Sequence, residues 1–134
     1  MSEYVLDASV AVAAVRPMEP SHAASRARLT RLLAGADEIV VPAIFDVEVT
    51  SALARARAPA AAARRYLEQE LGARRLISIG PRAARAISAI AARTQLRAAD
   101  AIYVWVACKH ALPLVTLDRE IAEKAGALCA VEAP

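Results

Sequence analysis

Tyr4-Val5-Leu6-Asp7-Ala8-Ser9 is a short apolar run that stops on an acid, and Leu114-Val115-Thr116-Leu117-Asp118 repeats that design near the other end of the chain. A continuous apolar run bounded by helix-forming sequence reads as a strand buried on both faces. Helical stretches fill the space between the two. Ala8 to Val15 stops at Pro17, and Ser21 to Leu33 at Gly35. Ile39-Val40-Val41 before Pro42 is a second strand. Ala43 to Arg57 and Ala60 to Leu71 follow as helices, closed by Pro59 and Gly72. Leu76 to Ile79 is a third strand, Arg82 to Arg93 and Ala98 to His110 are helices, and Arg119 to Lys124 is a last short one. Leu128 to Val131 reads as an edge strand. Strands separated by helices predict a three-layer α/β/α sandwich around a parallel sheet.

The 134 residues suit one domain spanning 1–134. An apolar fraction of 57%, much of it alanine, excludes disorder. No apolar run is long enough to cross a bilayer, so no membrane role is expected. Glu3 and Asp7 stand where an export signal needs positive charge, and a cytoplasmic protein is expected. Cys108 and Cys129 form no CxxC and read as reduced, buried thiols. The net charge of +3 is compatible with a nucleic-acid partner without pointing to one. The positive charge is almost all arginine, which suits phosphate recognition by guanidinium forks and equally suits a GC-rich genome.

Four acids carry the chemistry. Asp7 and Asp118 end apolar strands, the edge at which open parallel sheets bind ligands. Glu48 shares a helical stripe with Ile44, Phe45, Ser51 and Ala52, and Asp100 opens one continued by Tyr103, Val104 and Ala107. Each position has a bland account: helix capping for Asp7 and Asp118, the helix dipole for Asp100, a salt bridge to Arg55 for Glu48. A shared cation accounts for all four together. Carboxylates without His or Cys ligands select Mg²⁺ or Mn²⁺ over Zn²⁺. Such an ion suits phosphodiester cleavage. His22 and His110 have no histidine partner at ligand spacing and read as structural. A receiver domain would need a lysine after the last strands, and a haloacid-dehalogenase-like phosphatase an Asp at position 9, where Ser9 stands.

Val5-Leu6-Asp7-Ala8-Ser9-Val10, Val47-Glu48-Val49-Thr50-Ser51-Ala52-Leu53, Leu96-Arg97-Ala98-Ala99-Asp100-Ala101 and Leu114-Val115-Thr116-Leu117-Asp118 resemble the four motifs of PIN domains, in order and over nearly the whole chain. Within that family the likeness is to VapC toxins of toxin–antitoxin pairs. The resemblance implies a sheet of order 3-2-1-4-5 and Mg²⁺- or Mn²⁺-dependent cleavage of RNA by a type II toxin. It also implies a homodimer neutralised by a VapB-type antitoxin. It makes Asp7, Glu48, Asp100 and Asp118 the catalytic, metal-holding acids, with Ser9 and Thr116 as supporting hydroxyls. Arg97 and Arg119, beside the third- and fourth-motif acids, are candidates for phosphate contact. Asp46 is expected to face solvent in the first turn of its helix. The paired helices from Ala43 to Leu71 are either part of an antitoxin groove or ordinary surface helices. A PIN-fold interaction module and a non-toxin RNA-processing nuclease remain the alternatives.

Overall fold

The computed structural model describes residues 2–134. Five strands make one parallel sheet: β1 (Ser2–Leu6), β2 (Asp37–Pro42), β3 (Arg75–Ile77), β4 (Leu114–Val115) and β5 (Val131–Glu132). Their order is β3-β2-β1-β4-β5, as the family resemblance implies. The chain winds outward from β1 to one edge, then returns past it to the other. The order therefore reverses between β1 and β4, which opens a crevice at their carboxyl ends.

Seven α-helices occur among the described residues: α1 (Ala8–Ala13), α2 (His22–Leu33), α3 (Ile44–Arg55), α4 (Ala60–Arg65), α5 (Pro81–Thr94), α6 (Ala98–His110) and α7 (Arg119–Ala125). Together with the sheet they form the three-layer sandwich. α6 is the most deeply packed, with Tyr103, Val104, Val106 and Ala107 all nearly inaccessible against β1, β2 and β4. Val5, Val40, Val41, Leu114 and Val115 fill the middle of the sheet. These β-branched and leucine residues pack well on a pleated surface covered from both sides.

Several elements differ from the sequence expectation. The helix expected over Ala60–Leu71 is α-helical only to Arg65 and continues as a π-helical turn over Tyr66–Glu70. Tertiary contacts hold that turn. The buried Tyr66 hydroxyl donates to the Ala11 carbonyl at 2.6 Å, and Arg74 caps the carbonyls of Leu67 and Leu71. A Cβ at Gly72 would lie 2.6 Å from the Glu68 carbonyl oxygen, so glycine closes the turn without a clash. Asp46 does not face solvent freely. Both its oxygens accept from Arg74 at 2.7 Å, a bidentate pair joining α3 to the approach to β3. The last strand begins later than expected, because the Leu128 and Cys129 amides still bond the Ala125 carbonyl and finish α7. The two thiols are free as expected, but Cys108 is exposed and Cys129 only half-buried. Burial and the neighbouring Cys108 push the Cys129 thiol up to about 11.

Candidate active site

The sheet register places the first acid. Leu6 pairs with Val115, and the Asp7 amide donates to the Val115 carbonyl at 3.0 Å. Asp7 is therefore level with Thr116 at the carboxyl edge. It precedes α1 with extended backbone but makes no side-chain capping bond. Its carboxylate is held elsewhere: Oδ2 accepts from Thr116 Oγ1 at 2.7 Å and from Ser9 Oγ at 2.8 Å. Thr116 Oγ1 in turn accepts from the Asp118 amide at 3.0 Å, which fixes the turn carrying the fourth-motif acid. Asp118 does act as a cap, with Oδ1 accepting from the Glu120 amide at 2.8 Å.

The helices bring the other two acids to the same crevice. α3 does not bury the whole stripe around Glu48. Phe45, Val49 and Leu53 enter the core, whereas Ile44, Ser51 and Ala52 stand with Glu48 along the wall of a cleft. Among the described residues Glu48 makes no salt bridge with Arg55. Its Oε1 accepts instead from the Tyr103 hydroxyl at 2.7 Å, a partner that no spacing in the sequence signals. Asp100 sits in the first turn of α6, where the helix dipole favours its charge. Its Oδ2 is buried without a hydrogen-bond partner, and Arg97 Nε at 3.9 Å is too far to supply one.

Asp7, Ser9, Glu48, Arg97, Asp100 and Asp118 thus line one cleft of about 770 Å³. Arg55, read from the sequence only as a possible partner for Glu48, and Glu19, which nothing in the sequence singled out, line it too. Thr116 lies just beneath, buried, and Arg119 stands exposed at the start of α7, outside the lining. Neither histidine lines the cleft: His22 bonds the Ala13 carbonyl at 2.8 Å, and His110 stands in the last turn of α6.

Burial and mutual repulsion strain the charge state of the cleft. Burial holds the Asp7 carboxyl above its ordinary range despite the Thr116 and Ser9 hydrogen bonds, and the Asp118 charge adds to the rise. Burial likewise raises Glu48, against the Tyr103 hydrogen bond, with further rises from Asp7 and Asp100. Asp100 is raised by burial, then by Asp118 and Asp7, with Arg97 opposing. Clustered carboxylates that burial and one another drive toward protonation are a site short of positive charge. Among the described residues no three His, Cys, Asp or Glu side chains stand close enough to form a ready-made metal cage. An ion that keeps part of its water shell does not need one. The orphaned Asp100 oxygen and the all-oxygen donor set fit Mg²⁺ or Mn²⁺.

The family model of the PIN domain matches residues 4–127, taking in all four acids. The chain belongs to the PIN domain family. PIN domains are nucleases that generally use divalent metal ions. Solved structures share the fold. PAE2754 from Pyrobaculum aerophilum is 26% identical, with a TM-score of 0.71 over 97% of this PIN domain and 83% of that chain. FitAcB from Neisseria gonorrhoeae is 22% identical, with a TM-score of 0.73 over 98% of this chain and 96% of its own. VapBC2 from Rickettsia felis, solved bound to a DNA fragment from their promoter, is 15% identical, with a TM-score of 0.72 over 98% of both chains. No curated protein sequence matches this PIN domain. No helix among the described residues is long and apolar enough to cross a membrane.

Proposed function

We propose that this PIN domain, a single domain over 1–134, is a Mg²⁺- or Mn²⁺-dependent endoribonuclease and the toxin of a type II toxin–antitoxin pair. The observation that carries the enzymatic reading is the buried Asp7 carboxylate. It is tied by one oxygen to Ser9 and Thr116 and shares a cleft with Glu48, Asp100 and Asp118, and neither of the two arginines lining that cleft, Arg55 and Arg97, makes a hydrogen bond to any of these acids among the described residues. Asp7, Glu48, Asp100 and Asp118 would hold the ion, in part through water. When bound, it supplies positive charge to the scissile phosphate and acidifies attacking water.

The chain's own groups do the rest. Ser9 and Thr116 fix the rotamer of Asp7. Asp118 is set by its bond to the Glu120 amide. Arg97, largely exposed beside Asp100, would contact an RNA phosphate. Arg97→Ala is expected to raise KM about 3- to 10-fold with little change in kcat, the pattern of lost ground-state binding. Arg119→Ala, outside the cleft, is expected to change KM less. Steady-state cleavage of a fluorescent RNA checks both.

The toxin role is supported by the fold shared with FitAcB and VapBC2. A VapB-type antitoxin would cover the cavity of about 290 Å³ between α1, α3 and α4, lined by Val15, Leu53, Ala58 and Tyr66. A homodimer and a cytoplasmic location complete the proposal. The direct test incubates the purified chain with an RNA oligonucleotide. Cleavage with Mg²⁺ or Mn²⁺ and none with EDTA is expected. Intact RNA with both ions, or equal cleavage in EDTA, contradicts the reading.

A further inference from the structure

We infer that Tyr103 is a positioning residue of the metal site: its hydroxyl holds the Glu48 carboxylate in the orientation from which it reaches the cation. This rests on the metal-dependent reading above. Tyr103 is almost completely buried, and a buried phenol hydroxyl requires a partner. Its partner is Glu48 Oε1 at 2.7 Å, from a helix far away in sequence. The bond ties α6 to α3, and Tyr103 lies one helical turn beyond Asp100 on the same helix.

The consequence follows from side-chain freedom. Glutamate has one more rotatable bond than aspartate, and Glu48 is only half-buried on the cleft wall. Asp7 is anchored by Ser9 and Thr116, and Asp118 by a backbone amide. The only side-chain hydrogen bond found for Glu48 among the described residues is that from Tyr103. Because the phenol engages Oε1, Oε2 is left for the cation. Hydrogen-bond partners of this outer kind typically govern metal affinity by about 10- to 100-fold.

The test is Mn²⁺ titration by calorimetry on the full chain, with wild type, Asp7→Asn, Tyr103→Phe, Glu48→Gln and the Tyr103→Phe/Glu48→Gln double variant. Circular dichroism and thermal unfolding in EDTA verify the fold. Tyr103→Phe is expected to weaken Mn²⁺ binding about 10-fold. In the Glu48→Gln background the same change is expected to weaken it by less than about 2-fold, since the two act as one unit. If Tyr103→Phe binds Mn²⁺ like wild type, or weakens it equally with and without Glu48, the positioning role is overturned while the metal site stands. A wild type that binds no Mn²⁺, or an Asp7→Asn variant that binds it undiminished, overturns the metal reading itself. Glu48→Gln keeps the tyrosine packing intact, so it reports on the pair even if removal of the phenol oxygen disturbs the core.

Discussion

Asp7→Asn is expected to reduce metal-stimulated RNA cleavage at least about 1,000-fold, a loss of about 4 kcal/mol of transition-state stabilisation. The amide oxygen can still accept from Ser9 and Thr116, so the local hydrogen bonds survive while the negative charge is lost. The variant should also melt higher than wild type in EDTA, by an amount that grows with pH. The Asp7 carboxyl is held above its ordinary range mainly by burial. A group raised in the folded state contributes stability that is fully present below its unfolded value and is lost as pH rises through its folded value. Glu48 and Asp100 act in the same direction. Asp37 and Glu120 act in the opposite one, because Arg31 and Lys124 hold them low, and their stability is lost as pH falls. Subtracting wild type from Asp7→Asn cancels the Asp37 and Glu120 shares and leaves that of Asp7 together with its repulsion of Glu48 and Asp100, which has the same sign. The difference in melting temperature should be larger near pH 7 than near pH 4. A flat or shrinking difference, or retained cleavage, contradicts the role given to Asp7.

Thr116→Val is the second large effect. The replacement has nearly the same shape but no hydroxyl. It removes one of the two side-chain donors to Asp7 Oδ2 and the only acceptor for the Asp118 amide among the described residues. Thr116 is buried, so little water is at hand to replace either bond. The cost to folding is expected to be about 1–3 kcal/mol. Cleavage should fall about 10- to 100-fold, because two of the four acids lose part of their support. Thr116→Ser keeps the oxygen and should recover most of both losses. Denaturant unfolding and cleavage rates measured side by side check this. A valine variant with wild-type stability and rate would show that the hydroxyl does not support the site.

The sequence made Asp7 and Asp118 visible because each follows an apolar run; Asp7 does end β1, whereas β4 stops at Val115 and Asp118 stands beyond it as the cap of α7. Their convergence needed the sheet order, which composition and period do not contain and which came through the likeness to PIN domains. Glu48 was legible as an acid among apolar neighbours, but its surroundings were only half right. The stripe divides between core and cleft because α3 lies at the crevice edge, a property of packing rather than of spacing. Tyr103 was read as a core residue beside Asp100, since its hydroxyl partner comes from an element far off in sequence. The same holds for Asp46, whose pair with Arg74 also spans distant segments, and for the π-helical turn, which Tyr66 secures through Ala11. Arg55 entered the sequence reading only as a possible partner for Glu48 and lines the cleft instead.

Crystals grown with Mn²⁺ and measured for anomalous scattering test the shared-cation claim most directly. A peak is expected in the cleft, with carboxylate oxygens of Asp7 and Asp100 about 2 Å from it and those of Glu48 and Asp118 bound directly or through one water. A Mn²⁺ peak found only outside the cleft, or none at saturating ion, would contradict the account.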